Sequence, residues 1–162
     1  MNQKYEPLFT SFQLPSGVQL KNRVLMAPMT IVASGPNGEV TDAELAYYKA
    51  RAQGVGAVIT ASALVSPNGK LTDYGFALDN DALQPGLKKL AAVIQENGAK
   101  AIVQLYHGGR LSKPSLVPSG HALSASPVAA EREGTAVPKE MTDTEIETVI
   151  QLQELAFLMY FT

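Results

Sequence analysis

Residues 23–30 read "RVLMAPMT". Val24, Leu25, Met26 and Ala27 carry no polar side chain, the composition of a strand covered on both faces. Pro28 then removes a backbone donor and stops further sheet pairing. Met29 and Thr30 lead into a loop holding Gly35, Pro36, Asn37 and Gly38. A core strand that ends on Ala-Pro-Met-Thr raises the question of what sits above that end.

Upstream, alternating residues on both sides of Pro15-Ser16-Gly17 predict a short β-hairpin. Downstream, Thr41 stands three residues before Glu44, a capping box that opens a helix with Leu45, Tyr48 and Ala52 on one side and Gly54 at its end. The following "GAVITASALV" lacks alternation and reads as a buried parallel strand. The cycle then repeats. After a loop, Asp81 and Gln84 mark a second helix start, with Pro85 tolerated in the first turn. Leu87, Leu90, Ala91 and Ile94 form its apolar face, and Asn97-Gly98 closes it. "AKAIVQL" reads as a third buried strand, and a long Gly/Pro/Ser-rich loop over residues 107–140 follows. Thr142 and Glu145 form a capping box for a third helix, with Ile146, Val149 and Ile150 as its apolar face.

Regular βα alternation predicts a parallel sheet with helices outside it. An open doubly wound sheet and a (β/α)₈ barrel both satisfy that order. No G-x-G-x-x-G or G-x-x-x-x-G-K-[ST] follows the first strand, which weakens the nucleotide-fold alternative. The unusual residues, "APMT", "TASA" and "QLYHGGR", lie at the C-terminal ends of successive strands. That is where barrel enzymes carry their sites. The pattern therefore favours an α/β partial (β/α)₈ TIM barrel, an N-terminal β-hairpin plus about three βα units. A complete barrel takes about 250 residues, so the 162 residues predict a truncated one.

Composition narrows the function classes. A net charge of −2 without a Lys/Arg cluster points away from nucleic acid. Zero cysteines exclude disulfides and thiolate metal sites, and two histidines argue against a His-rich centre. "MNQKYEPLFT" has neither a basic start nor an apolar run, and no apolar stretch approaches the roughly 20 residues that span a bilayer. The expectation is a cytoplasmic chain with a small-molecule substrate, no metal, no nucleic acid and no membrane.

At this point "LKNRVLMAPMT", "AVITASALV", "AIVQLYHGGR" and "PSGHALSASPV" together resemble the N-terminal half of the Old Yellow Enzyme family. These are FMN-containing NAD(P)H oxidoreductases, or ene-reductases, on a (β/α)₈ barrel. The resemblance runs over about residues 8–150. It implies that Ala27, Pro28 and Met29 line the flavin ring through their backbone, and that Thr30 hydrogen-bonds near the flavin O4 edge and tunes its potential. It implies that Ala61 contacts the ring through its backbone and that Gln104 binds the pyrimidine edge. Taken without the family, Ala27, Met29 and Ala61 read as plain core, Thr30 as a loop hydroxyl and Gln104 as a buried amide needing partners. His107 and Arg110 border the cofactor or organise the long loop, and Tyr47 and Tyr48 read as helix packing. Val32 stands where one subgroup carries a substrate-contacting tyrosine.

The resemblance also implies what lies beyond this chain. In the family, the pair of side chains that holds the substrate carbonyl, the proton-donating tyrosine and the phosphate-binding loops all come later. The expected organisation is residues 1–151 as the N-terminal part of an FMN-binding domain and residues 152–162 as an apolar tail departing from the family pattern. The expected function is FMN-dependent NAD(P)H oxidoreduction, represented by a part inactive alone. Its alternatives are a non-catalytic flavin-binding or partner-binding half-barrel, a homo-oligomer or complementing chain completing it, and a vestigial truncated product.

Overall fold

The computed structural model describes residues 2–161, with side chains described as far as Ala156. A 3₁₀ turn, Gln3–Phe9, precedes an antiparallel hairpin of β1 (Phe12–Gln13) and β2 (Gln19–Leu20). Gly17 makes its turn at φ +87°, a region that costs a side chain but not glycine. Next come β3 (Leu25–Met26), α1 (Asp42–Ala52), β4 (Ala57–Leu64), α2 (Gln84–Gln95) and β5 (Lys100–Tyr106). A pair of two-residue strands, β6 (Leu123–Ser124) and β7 (Lys139–Glu140), precedes α3 (Asp143–Phe161).

The central sheet has order β3-β4-β5 and is parallel throughout. Consecutive strands are neighbours with no reversal, the arrangement of a barrel wall rather than of a doubly wound sheet. α1 and α2 cover one face. Tyr48 and Ala52 from α1, and Leu87, Leu90 and Ile94 from α2, pack there against Val58, Ala61, Ala63 and Val65. Met26, Ala101, Val103 and Leu105 complete that layer. Buried positions 87, 90 and 94 follow the helical period, which is why this face was legible in the sequence.

The opposite sheet face is open. Leu25 is 45% exposed and Ile102 37% exposed, and Gln104 is exposed beside them. This corrects the expectation for "AKAIVQL": β5 alternates between half-buried and exposed residues along most of its length and is covered on one face only. β4, flanked by both neighbours, is buried almost end to end, as expected.

Other expectations also need correction. The first strand pairs only over Leu25–Met26. The second helix is entered through a 3₁₀ turn, Asp81–Leu83, capped by the Asn80 side chain on the Ala82 N–H at 2.9 Å. Residues 107–140 are not one featureless loop, since β6 pairs with β7 in parallel across it. The capping box of α3 forms in both directions: the Thr142 N–H donates to Glu145 Oε2 at 2.7 Å and the Glu145 N–H to Thr142 Oγ1 at 3.3 Å. Its expected apolar face stays largely uncovered, with Ile146 and Ile150 exposed, because no described element packs over it. α3 meets the core at Ala156. The apolar tail over residues 156–161 rests mostly on side chains 157–161, which lie outside the described residues. Among the described residues no helix is long and apolar enough to cross a membrane.

Candidate functional site

β4 and β5 end together at Leu64 and Tyr106, whereas β3 stops level with Val58, near the start of β4. Leu25 pairs with Ala57 and Met26 with Val58, while Ile59 pairs with Ile102, Ser62 with Gln104 and Leu64 with Tyr106. Beyond β3 the chain leaves the ladder at Pro28, which lacks the N–H that a further pairing would need. Ala27, Pro28, Met29 and Thr30 are all exposed beyond the end of β3, with Met29 59% exposed. Ala27 and Met29 are therefore not core, contrary to the reading made without the family.

Gln104 stands on the open face, level with Ser62. It is exposed rather than buried, and its carboxamide makes no hydrogen bond to another described residue. The Thr30 hydroxyl is likewise uncommitted among the described residues. A primary amide offers both donor and acceptor, and a hydroxyl offers either. These groups and the exposed Ala-Pro-Met backbone make a set with unsatisfied hydrogen-bonding capacity.

Ala61 is placed differently. Between Ile59 and Ser62 the register slips, so that Thr60 and Ala61 oppose the single residue Val103. This bulge turns the Ala61 side chain into the helix-covered layer, where it is 6% exposed. A bulge leaves a backbone group outside the ladder, and here the partner is the Tyr48 phenol, which accepts the Ala61 N–H at 2.7 Å. The Ala61 carbonyl accepts the Thr60 hydroxyl at 2.8 Å. The structure thus leaves Ala27–Thr30 exposed beyond the end of β3 and Gln104 exposed on the open face of β5, while the Ala61 side chain is buried in the helix-covered layer.

Tyr48 was legible as helix packing, but its role at the bulge was not. The available signal was a tyrosine on a buried helical face, whose hydroxyl needs a partner. Burial pushes that phenol up to about 12, with the Ala61 backbone opposing the shift, so the group stays neutral at ordinary pH.

Two residues beyond Gln104, where Leu64 meets Tyr106, the strand ends open into a cleft of about 170 Å³ with Leu64, Ala77, Leu116, Lys70 and Asp79 among its walls. Burial raises the Tyr106 phenol and the Asp79 carboxyl above their usual values. Lys70 Nζ is anchored on the Pro36 carbonyl at 3.3 Å.

His107 serves the loop. Its Nδ1 accepts the Gly109 N–H at 3.1 Å, and a Cβ on Gly69 would run into its ring. Burial lowers its pKa, and its buried Nε2 has no partner among the described residues.

Ala27–Thr30 and Gln104 fit an isoalloxazine in kind: small or flat walls on one side, and an amide and a hydroxyl for the polar pyrimidine edge. Comparisons with known proteins identify the family. The profile of the NADH:flavin oxidoreductase / NADH oxidase family matches residues 7–156. A probable NADH-dependent flavin oxidoreductase, YqiG, of Bacillus subtilis is 42% identical over 151 residues, which is 93% of this chain and 40% of that protein. Among solved structures, a 2-naphthoyl-CoA reductase aligns with TM-score 0.89 at 27% identity over 96% of this chain and 26% of its own. An Old Yellow Enzyme from a Pichia species aligns with TM-score 0.80 at 27% identity over 93% of this chain and 41% of its own. The chain therefore spans well under half the length of each of these relatives.

Proposed function

The chain belongs to the NADH:flavin oxidoreductase / NADH oxidase family, and on that premise we propose that it supplies the ring-facing floor of an FMN-dependent NAD(P)H oxidoreductase of the Old Yellow Enzyme type. The observation that carries this reading is the exposed, uncommitted set of Ala27–Thr30, beyond the end of β3, and Gln104, on the open face of β5. FMN, when bound, supplies hydride transfer from NAD(P)H to an activated alkene or another small acceptor.

The chain's own residues bind and orient. Gln104 would donate to and accept from the flavin's polar edge, and Thr30 would add a hydroxyl there. Pro28 ends the strand, and the exposed backbone of Ala27, Pro28 and Met29 would line the ring. Ala61 supports that floor as backbone, fixed from below by Tyr48. Residues 1–151 form this part of the domain, in a cytoplasmic setting, with residues 152–162 as a distinct tail.

The open sheet face favours a second reading, a half-barrel whose floor is completed by another chain or another copy. Leu25 and Ile102 are the apolar groups that such a partner would cover.

Titration of the purified chain with FMN, followed through gel filtration by flavin absorbance and fluorescence, tests the proposal. Co-elution of spectrally perturbed flavin with a monodisperse species supports a working floor, and NADH oxidation then distinguishes an enzyme from a binding module. Free flavin separating from a folded chain would overturn the reading.

A further inference from the structure

Glu44 lies inside the protein with no cation paired to it among the described residues. Its side chain is fully buried, and Oε1 accepts the Ser34 hydroxyl at 2.9 Å while Oε2 has no partner. The capping box foreseen at Thr41 is only half formed. The Glu44 N–H donates to Thr41 Oγ1 at 3.3 Å, but the carboxyl reaches to Ser34 instead. The Thr41 hydroxyl in turn donates to the Ala33 carbonyl at 2.6 Å. The first turn of α1 therefore grips Ala33 and Ser34, in the loop that leaves Thr30.

A buried carboxylate with one orphan oxygen and no counterion is costly, whereas the neutral acid is not. Burial raises the Glu44 carboxyl above its ordinary value, opposed by the Ser34 hydroxyl and the Thr41 backbone. Tyr48, one turn along α1, is a phenol whose ionisation Glu44 opposes. Glu39, in the gripped loop, is held below the usual carboxyl range by its own backbone N–H and by Asn37, so it is charged throughout. Asp79 follows Ala77, whose N–H donates to the Gly38 carbonyl of that loop at 3.1 Å.

We propose that Glu44 is a positioning residue: it holds, through Ser34, the loop that presents Thr30, and on ionisation the charge at its buried, unpartnered Oε2 outweighs the strengthened Ser34 bond, so that the loop opens to hydrate it. The role of Thr30 rests on the flavin reading, whereas the loop device does not. The hold is firmest in acid and weakens as pH rises.

The test is hydrogen exchange of the amides of residues 31–40 in the full chain without FMN, from mildly acidic to mildly alkaline buffer. Protection factors are used so that intrinsic exchange divides out. Wild type should lose protection there by about tenfold as Glu44 ionises. Glu44→Gln, which keeps shape and neutrality, should hold its protection, and the comparison removes any part due to Asp79. Ser34→Ala should have low protection at every pH, which keeps the proposal testable if Glu44→Gln does not fold. A flat wild-type profile, or a slope equal in wild type and Glu44→Gln, would overturn the proposal. FMN affinity measured over the same range separates the two readings. Loop loosening with no FMN binding at any pH would sink the flavin assignment and leave the loop device standing. FMN binding together with a flat exchange profile would sink the loop device and leave the flavin assignment standing.

Discussion

The phenolic oxygen of Tyr48 accepts a hydrogen bond, 2.7 Å long, from the backbone N–H of Ala61. Tyr48 is fully buried, so α1 reaches through the core to satisfy β4 where its ladder with β5 slips. Tyr48→Phe leaves that N–H buried without an acceptor, at a cost of about 1–3 kcal/mol. Urea unfolding should show a lowered midpoint with an unchanged slope, and exchange at the Ala61 amide should rise more than elsewhere. A variant as stable as wild type would mean that the bulge finds another partner.

Gln104 separates stability from binding. It is exposed and makes no hydrogen bond to another described residue, so Gln104→Leu should leave stability within about 0.5 kcal/mol. The same change removes a donor and an acceptor from the proposed flavin edge, and FMN affinity should fall by about tenfold. Unchanged affinity in a folded variant would remove Gln104 from the site.

The predictions so far depend on two features that were unequally visible in the sequence. Leu87, Leu90 and Ile94 announced a helix face because side chains on a helix must repeat with its turn, and they are buried as expected. The end of β3 was visible because proline after an apolar run can only stop a strand. The apolar character of β5, by contrast, suggested cover on two faces, yet Ile102 and Gln104 are open. Hydrophobicity records that a side chain suits burial, not whether anything in the described chain covers it. Ile146 and Ile150 on α3 mislead for the same reason. The bulge at Thr60–Ala61 left no trace, since one extra small residue in "TASA" does not alter composition.

Lys21 ties two helices. Its ammonium, half-buried, donates to the carbonyls of Gln53 at 2.9 Å and Ala52 at 3.4 Å, and to that of Asn97. These carbonyls lie at the C-terminal ends of α1 and α2, where the helix dipoles favour a cation. Lys21→Met keeps the stem but loses all three bonds, and thermal or urea unfolding should report a loss of about 1–2 kcal/mol. Because the group is partly enclosed, added salt should change that difference little. A loss that vanishes in high salt would reassign Lys21 to the surface.

Gly56 precedes β4 where the chain passes β3. Its N–H donates to the Val24 carbonyl at 2.8 Å, and a Cβ there would run directly into the Asn22 backbone carbonyl. Asn22 cannot yield freely, since its amide donates to the Gly54 carbonyl at 3.1 Å and its Oδ1 accepts the Val24 N–H at 3.1 Å. Gly56→Ala should therefore destabilise by about 1–3 kcal/mol, although alanine is ordinarily neutral or better away from glycine-only backbone. A neutral result would show that β3 moves relative to β4 at little cost.

Glu44 sets a pH dependence whose sign follows from its burial. Well below the ordinary carboxyl value, the group is protonated in both the folded and the unfolded chain and contributes no slope. As pH rises through that value, the unfolded chain releases its proton while the folded chain, with the carboxyl raised, retains it. Stability must then fall, until the raised folded value is passed and the loss levels off. Asp79, also raised by burial, adds a slope of the same sign. Glu44→Gln removes only the Glu44 part. The urea midpoint of the variant should therefore gain on that of wild type as pH increases across this window, with the gap constant on either side. Parallel curves would mean that Glu44 ionises as freely in the folded chain as in the unfolded one, which requires water or a counter-charge at its second oxygen.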